Sequence, residues 1–516
     1  IEVLGPERRV IEAMAFAQAK STPPGGLEAD LLYVGAGGVG DYEGVDARGK
    51  ITLSELSYSP PRPEKVRLAT VNGSVGQIMM NWGQPEHDTM PMGTCKAVWG
   101  NPTPENFATM PEIPAIGVKL KDGQYLAALA KRGPVRICMT CDVERRWGKM
   151  LQPIGVIKGA TDPDKFVLIA GHYDAWGPGA TDNATGNAGI IEIARVLGRH
   201  RDKLRRSVVF AFWAAHESGI MEGSSWYIDH HWDDLTKNCV LALNVDSCGM
   251  IGANEFTTAC SPELRKFNER LIREVLAIDP PAPRRLDRNG DQSFFGAGVP
   301  SMISAFEHSA EQKKEWRGAT LGWWYHSEYD TPDKVDPALL SDSIRMSAAY
   351  IFELASAEIL PYTFSETARL IRERAAALAR YDVEIDLRAG AQRAEQLERR
   401  LERFDSELGT ARKDGRAPAA AARNAAAIRL SRILTPLLMT IGGRWSQDSY
   451  GLTALNSDLP GLARIPAMAE AGRDSAFYKL AWSEVARQRN RIMDGLKDAG
   501  VLLDDYFAAA LDNAPA

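Results

Sequence analysis

The chain has 516 residues, of which 45% are hydrophobic and 25% are charged, and its formal net charge is −6. This composition is typical of a globular protein with room for roughly two to four domains. A mildly acidic chain without a long basic run is not expected to bind nucleic acid. No apolar run reaches the roughly 18 residues that a membrane-spanning helix requires, so the sequence predicts no membrane span.

Residues 1–150 are predicted to form a β-rich domain with a few helices, one of them at 122–133. Cys138 and Cys141 lie three apart on a β-like run, where they would point to opposite faces of a strand, and this favours plain thiols over a metal or redox pair. The β-like runs are separated by turns rich in Gly and Pro, and they lie at 29–35, 49–55, 75–82 and 134–140.

From 151 to 355 the pattern changes to strands that alternate with helices. Such alternation predicts an α/β domain whose mainly parallel sheet is covered by helices on both faces. The predicted strands lie at 166–171, 206–215 and 239–247, and the predicted helices lie at 187–200, 223–232 and 264–276.

Residues 356–516 are predicted to be helical. An apolar stripe at Ala394, Leu397, Leu401, Phe404 and Leu408 steps by three and four, and because it lasts about two heptads it favours a packed bundle helix over a free coiled coil. The segment 442–461 breaks the helices with Gly, Ser, Asn and Pro. Long loops of this kind are often functional.

Five potential metal ligands fall at separate element ends of the α/β domain. His172, Glu217 and Asp246 follow β-like apolar runs, and the carboxyl ends of parallel strands meet at one edge of a sheet. Asp182 lies in a loop before a helix and can reach back to that edge, while His326 arrives from a loop rich in Trp and Tyr. Their recurrence at element ends predicts one shared metal site.

Imidazole and carboxylate ligands together favour zinc, with manganese or cobalt as alternatives. Five side chains exceed what a single catalytic zinc needs, so they predict two metal ions that share a bridging carboxylate. Such a pair would polarise a carbonyl and generate hydroxide from water. Asp174 lies two residues after His172, and its carboxylate is predicted to accept the second ring N–H of that histidine.

These motifs resemble those of the co-catalytic zinc exopeptidases, a family that includes bacterial aminopeptidases, glutamate carboxypeptidase II and the transferrin receptor. Segments 40–53 and 113–126 look like the protease-associated domain of the larger members, and residues 356–516 are similar to their dimerisation domain. The resemblance covers nearly the whole chain. Its most specific segments are 171–186, 210–226, 242–247, 290–300 and 325–331.

The resemblance implies a phosphorylase/hydrolase-like mixed sheet and a metal site in which Asp182 bridges two zinc ions. It implies that His172 and Asp246 complete one metal, and that Glu217 and His326 complete the other.

The resemblance also implies a catalytic role for Tyr325, which matches a tyrosine that stabilises the tetrahedral intermediate. A cis peptide bond is expected between Asp182 and Asn183. A homodimer formed through the helical domain and a periplasmic or secreted location are further expectations from the family.

One catalytic position departs from the family pattern. His216 stands where the family has the glutamate that acts as general base. A histidine can also act as a base, because its unperturbed pKa is about 6.5, although two nearby dications would disfavour its protonated form. It could instead bind metal or contact the substrate, and Glu222 in the following turn is a candidate for a substitute carboxylate.

Three functional interpretations therefore stay open. The first is a dinuclear zinc exopeptidase acting on a peptide or small-molecule substrate, with an aminopeptidase favoured because loop 442–461 lacks the Lys-Tyr pair of the glutamate carboxypeptidases. The second is repurposed chemistry around His216, such as elimination or hydrolysis of a non-peptide bond. The third is a receptor-like protein without activity, which the retained ligands argue against, since buried carboxylates without partners are costly.

The start of the sequence leads to one more expectation. Family members place about one hundred residues of the catalytic domain before the protease-associated insert, whereas this sequence opens almost inside the insert. Either this sequence is cut from a longer chain or a separate N-terminal fragment supplies the first strands, so the catalytic sheet formed by residues 1–516 alone is expected to be incomplete.

Overall fold

The computed structural model describes residues 1–57, 59–414 and 417–512. Its strands are β1 (Glu2–Gly5), β2 (Arg9–Val10), β3 (Met14–Ala15), β4 (Leu27–Tyr33), β5 (Ile51–Glu55), β6 (Gly76–Met80), β7 (Ala115–Val118), β8 (Arg136–Met139), β9 (Ile154–Ile157), β10 (Asp162–His172), β11 (Arg206–Trp213), β12 (Cys239–Asn244), β13 (Glu255–Cys260) and β14 (Ser301–Glu307). Its α-helices are α1 (Arg62–Val71), α2 (Leu120–Arg132), α3 (Thr185–Arg199), α4 (Glu222–His230), α5 (Trp232–Asn238), α6 (Arg265–Leu276), α7 (Ala310–Glu315), α8 (Pro337–Ser356), α9 (Ser365–Leu378), α10 (Arg388–Asp414), α11 (Ala417–Met439), α12 (Ile465–Ala471) and α13 (Ala476–Asp512).

Strands β1 to β8 form one eight-stranded sheet in the order β2-β1-β8-β4-β5-β6-β7-β3. The neighbours β4, β5, β6 and β7 are parallel, and β8 pairs with β4 in the antiparallel sense. Apolar side chains such as Ile51, Ile78 and Ile116 form its core. The β-rich character expected for this part is therefore present, whereas its assignment to a protease-associated domain stays a prediction.

The second sheet has six strands in the order β13-β14-β12-β10-β11-β9. Its central strands β14, β12, β10 and β11 are parallel, and β13 and β9 pair antiparallel at the two edges. The predicted α/β class, a mixed sheet with helices, is confirmed. The antiparallel edge strands are an addition that the alternating pattern did not reveal, because short strands at a partly solvated edge lack a continuous apolar run.

Alternate residues of β10 pack on opposite faces of this sheet. Val167 and Ile169 belong to the apolar cluster that contains Ile190 of α3, whereas Leu168 belongs to the cluster that contains Ile228 of α4. A strand that is buried on both faces must be apolar at every position, and this explains the unbroken run that ends at the site.

The C-terminal part consists of packed helices. Four residues of the predicted stripe on α10, namely Ala394, Leu397, Leu401 and Phe404, are at most 3% exposed, whereas Leu408 at its end is partly exposed. Helix α10 packs against α9 and α13, so the bundle interpretation is confirmed. Within the described ranges, no helix combines the length and the apolar character that a membrane crossing requires.

Candidate metal centre

The predicted ligands come together at the carboxyl edge of the six-stranded sheet. His172 is the last residue of β10, Asp246 follows β12, and Glu217 lies in the loop between β11 and α4. Asp182 lies on a wide turn that leads into α3, and His326 lies in the loop between α7 and α8. Neighbouring parallel strands end side by side, and this brings residues that are distant in sequence to one place.

Two sets of three donors share the Asp182 carboxylate. In the first set, Nε2 of His172 lies 3.0 Å from Oδ1 of Asp182 and 3.3 Å from Oδ1 of Asp246. In the second set, Nε2 of His326 lies 3.2 Å from Oδ2 of Asp182 and 2.9 Å from Oε1 of Glu217. In each set the donor atoms lie within 4.8 Å of one another. The grouping is the one that the family resemblance implied.

The buried carboxylates of the cluster strongly favour positive charge beside them. Burial alone would lower the pKa of His172, but Asp246 and Asp182 outweigh it and raise that pKa well above its ordinary value. Burial alone would raise the pKa of Asp182, but the hydrogen bonds with His172 and His326 hold it well below its ordinary range. A divalent cation bound to the same atoms would supply this positive charge. Mixed imidazole and carboxylate donors fit zinc.

Asp330 and Asn183 fix the turn that carries Asp182. Oδ1 of Asp330 accepts hydrogen bonds from the backbone N–H and the hydroxyl of Thr181 at 2.9 and 2.7 Å, and Oδ2 accepts the N–H of Asp182 at 3.1 Å. The Asn183 amide donates to the carbonyl of Val245 at 2.9 Å, which ties the turn to the end of β12. The peptide bond between Asp182 and Asn183 is cis, as expected.

Asp174 supports the site through different atoms from those predicted. Nδ1 of His172 lies 2.8 Å from the backbone carbonyl of Asp174, whereas the Asp174 carboxylate oxygen lies 3.8 Å from that nitrogen. The prediction that the carboxylate accepts this ring N–H is therefore wrong. The carboxylate instead accepts the N–H groups of His216 at 3.1 Å and Glu217 at 3.0 Å. Asp174 orients the imidazole with its carbonyl and the neighbouring loop with its side chain.

His216 is buried beside the first set of donors. Its ring stacks on that of His172 with the centroids 3.8 Å apart, and its Nδ1 lies 2.9 Å from Oδ2 of Asp291. Burial and His172 both lower the pKa of His216, but Asp291 outweighs them and raises it to about 9. Two divalent cations held by the adjacent donors would lower this pKa again, because they disfavour the protonated imidazole. A ring nitrogen of His216 lies within 4.8 Å of donor atoms of His172 and Glu217. The side chain is therefore close enough to act on a molecule bound at the cluster.

Glu222 lies outside the cluster, in a partly buried ion pair with Lys96. Nζ of Lys96 lies 2.7 Å from the Glu222 carboxylate and also donates to the carbonyl of Gly219 at 2.7 Å. The Lys96 side chain is only 1% exposed. Because the carboxylate is committed to this ammonium, the position of Glu222 does not support the prediction that it could replace the family's base.

A cavity of about 320 Å³ opens onto the cluster. Tyr325 lines it and stacks on His326 with the ring centroids 3.8 Å apart. Burial raises the pKa of Tyr325 well above its ordinary value, so the phenol keeps its proton and can donate it in a hydrogen bond. The loop 442–461 reaches the same cavity through Tyr450.

Arg62, the first residue of α1, also lines this cavity. Its Nη2 lies 3.1 Å from Nδ1 of His326, and its Nη1 donates to the carbonyl of Thr94 at 3.2 Å. In the part of the chain that the structure describes, the guanidinium has no carboxylate at ion-pair distance. The β-rich part thus contributes a cation to the wall of the site.

Three supporting residues escaped the sequence prediction: Asp291, Asp330 and Trp176. The Trp176 indole donates to Oε2 of Glu217 at 2.9 Å, and the two acids bond to His216 and to the Asp182 turn. Asp291 lies within segment 290–300 and Asp330 within segment 325–331. Their place in motifs that carry the resemblance was the one signal that could have found them.

Residues 154–351 match the family model described as Peptidase family M28. The probable glutamate carboxypeptidase VP8 of Zea mays is 33% identical over 166 residues, which cover 31% of this chain and 23% of that protein. The aminopeptidase NAALADL1 of Rattus norvegicus is 24% identical over 450 residues, which cover 67% of this chain and 59% of that protein. The chain therefore spans less than two thirds of the length of these curated relatives.

Two solved structures share the fold over most of the chain. BSAP, a zinc aminopeptidase from Bacillus subtilis, aligns with a TM-score of 0.51 at 23% identity and covers 69% of this chain and 82% of its own. A peptidase M28 precursor from Shewanella amazonensis aligns with a TM-score of 0.55 at 21% identity and covers 69% of this chain and 80% of its own. At these identities the likeness concerns the fold.

Proposed function

We propose that this protein is a metal-dependent hydrolase of the exopeptidase type. The premise is that the α/β domain at 154–351 is a domain of peptidase family M28. The observation that carries the proposal is the Asp182 carboxylate, whose two oxygens each lie within 3.2 Å of a different histidine. A buried carboxylate placed between two further sets of donors is costly without cations, and a dinuclear centre gives it a use.

The same geometry supports two zinc ions, with manganese or cobalt as alternatives. His172 and Asp246 would hold one ion together with Asp182, while Glu217 and His326 would hold the other with the second oxygen of that carboxylate. When bound, the ions would polarise a scissile carbonyl and lower the pKa of a water.

The other residues of the site would handle the proton and the developing charge. His216 would act as the general base and would pass the proton on to the leaving group. Tyr325 would donate its phenolic hydrogen to the oxyanion that forms at the carbonyl. Asp174 would hold the loop that carries His216 and Glu217.

A substrate panel tests the proposal. Zinc-loaded wild type, His216→Glu and His216→Ala would be assayed on aminoacyl and peptidyl substrates, with zinc content measured for each. We expect wild type to hydrolyse at least one class, His216→Glu to retain activity because the family uses glutamate there, and His216→Ala to lose about 10²–10⁴-fold in kcat. Peptidase activity in His216→Glu but none in wild type would contradict the proposal.

The end of the peptide that is cleaved is a separate part of the proposal. We favour an aminopeptidase, because loop 442–461 lacks a Lys-Tyr pair. A carboxypeptidase is the second candidate, because the Arg62 guanidinium lacks a carboxylate partner among the described residues and a substrate carboxylate would supply one. Matched dipeptides decide between them: N-acetylation abolishes turnover by an aminopeptidase, and C-terminal amidation abolishes turnover by a carboxypeptidase.

Two alternatives from other classes remain testable. The contact between His216 and Asp291 would also suit removal of a proton from carbon, and this favours elimination as the runner-up. Mass spectrometry of the products separates the two reactions, since hydrolysis adds one water to the summed product mass and elimination does not. A receptor-like protein would carry less than about one zinc per chain after gentle purification.

The proposed assembly is a homodimer formed through the helical part, together with an N-terminal fragment that adds to the six-stranded sheet. Leu480 on α13 is 78% exposed and Phe477, one turn earlier on the same helix, is 39% exposed, and these neighbouring apolar side chains support an apolar contact there. Strand β9 lies at the sheet edge with Ile154 and Val156 half exposed, which supports an added strand. Light scattering of wild type and Leu480→Glu tests the dimer, since we expect the variant to be monomeric.

A further inference from the structure

We infer that Asp291 is a positioning residue for His216: it fixes the imidazole with its proton on Nδ1, so that Nε2 is the nitrogen free to accept a proton at the metal cluster. This inference rests on the proposed function, because it concerns the base of that reaction. Asp291 itself does not line the cavity at the cluster, so it acts through His216 and not on the substrate.

The direction of the hydrogen bond decides the tautomer. Oδ2 of Asp291 lies 2.9 Å from Nδ1 of His216. An ionised carboxylate can only accept, so Nδ1 must carry the hydrogen. A neutral imidazole has a single ring hydrogen, and Nε2 is then left with a free lone pair. This is the state that a general base needs before it takes a proton.

The surroundings of Asp291 point to the same role. Its side chain is 1% exposed, and among the described residues it pairs with His216 and with no lysine or arginine. Its second oxygen, Oδ1, has no hydrogen-bond partner within the described ranges. A carboxylate buried with so little support costs stability, and such groups are concentrated at functional sites.

A small cavity behind the pair of His216 and Asp291 places further hydrogen-bond donors near the Asp291 carboxylate. The cavity has a volume of about 10 Å³, and Asp291, Trp213, Asn244 and Gln292 all line it. The Trp213 indole N–H and the amide nitrogens of Asn244 and Gln292 have no acceptor among the described residues. A space of this size suits one water, which would join these N–H donors to the free oxygen of Asp291.

Two further contacts restrict the orientation of the His216 ring, so His216 and Asp291 meet in a single geometry. The ring stacks on His172 on one side, and the backbone N–H of His216 is held by the Asp174 carboxylate. With the ring plane and the backbone both fixed, the hydrogen bond from Nδ1 to Asp291 determines which nitrogen is available. The tautomer is therefore set by one side chain.

A double-mutant cycle tests the inference through activity. Asp291→Asn keeps the size of the side chain but presents an amide that can donate to Nδ1 and favour the other tautomer. In the zinc-loaded protein we expect kcat to fall by about 10²–10⁴-fold, with KM and zinc content changed by less than about threefold. In the His216→Glu background the same change should alter kcat by less than about twofold. An equal loss in both backgrounds would mean a purely structural role and would overturn the inference.

A second measurement does not depend on activity. Nitrogen-15 spectra of histidine-labelled, zinc-loaded protein distinguish the two tautomers, and the His216 signal is identified by its loss in His216→Glu. We expect a proton on Nδ1 in wild type and a shift toward Nε2–H in Asp291→Asn. A wild-type proton on Nε2 would overturn the inference. If the spectra show the expected tautomer but the protein hydrolyses no substrate, the positioning role of Asp291 stands and the proposed function is rejected.

Discussion

Oδ2 of Asp330 accepts the backbone N–H of Asp182 at 3.1 Å. Asp330 is buried and is not itself a candidate ligand, but it sets the position of Asp182, the carboxylate that would bridge the metals. The other oxygen of Asp330 accepts both the N–H and the hydroxyl of Thr181. All three donors belong to the turn before α3. The orientation of the central ligand therefore depends on a residue about 150 positions away in the sequence.

Removal of this acceptor should loosen the metal site. We expect Asp330→Ala to weaken zinc binding by about 10–100-fold, because the turn loses the hydrogen bonds that orient Asp182. Competition with a chromogenic zinc chelator measures the affinity. Asp333→Ala is the matched control, since Asp333 lies three residues away and its side chain is 65% exposed. Equal zinc affinity in wild type and Asp330→Ala would contradict the prediction.

Zinc stoichiometry should distinguish the bridging carboxylate from a ligand of one ion. We expect about two zinc ions per chain in wild type, about one in Asp246→Ala and fewer than one in Asp182→Ala, because Asp182 contacts both His172 and His326 whereas Asp246 contacts His172. Elemental analysis after gel filtration gives the numbers. The two-ion arrangement is wrong if Asp182→Ala and Asp246→Ala retain the same amount of zinc.

Asp174 should affect the rate more than the metal content. Asp174→Asn replaces an acceptor of the His216 and Glu217 N–H groups by a weaker, neutral one, while its backbone carbonyl still bonds to His172. We expect kcat to fall by about tenfold or more, with zinc content near that of wild type. Steady-state kinetics and elemental analysis on the same preparation check this. A loss of zinc that matches the loss of activity would show that Asp174 acts mainly on the metal.

The ion pair between the buried Lys96 and the partly exposed Glu222 should matter for stability and not for the proton transfer. We expect Glu222→Gln to lower the free energy of unfolding by about 3 kcal/mol, because Lys96 stays buried without its counter-charge. Urea denaturation measures this change. Glu112→Gln is the control: Glu112 pairs with Lys20, both side chains are 53% exposed, and the expected loss is below about 1 kcal/mol.

The kinetics of the same variant test the catalytic alternative for Glu222. If the carboxylate only supports the ion pair, kcat of the folded Glu222→Gln protein should stay within about threefold of wild type. A loss of about 100-fold or more at unchanged zinc content would restore Glu222 as the substitute base.

Three of the five candidate ligand positions were predictable because each has a local signature. His172, Glu217 and Asp246 follow strands that are buried on both faces, and burial on both faces forces an unbroken apolar run that is visible in sequence. The helices of the C-terminal part were predictable for the same kind of reason, since the stripe from Ala394 to Phe404 has the period of one buried helix face.

The partners of those ligands were not predictable, because they depend on distances across the fold. The hydrogen bond of Asp174 is an instructive case. Its place two residues from His172 suggested that the carboxylate meets the ring, but the backbone carbonyl lies closer and the side chain turns to the loop after β11. Sequence proximity restricts which residues can meet, and it does not select the atom.

The sequence by itself determined the α/β architecture, the five candidate ligands and, through the resemblance, the presence of a histidine where the resembled family has its base. The tertiary structure alone decided what surrounds that histidine. His216 lies against Asp291, which is 75 residues away, while the nearer carboxylate of Glu222 is held by Lys96, which is 126 residues away. The physical reason is that local periodicity records which face of an element is buried, whereas an electrostatic partner is chosen by proximity in the folded chain.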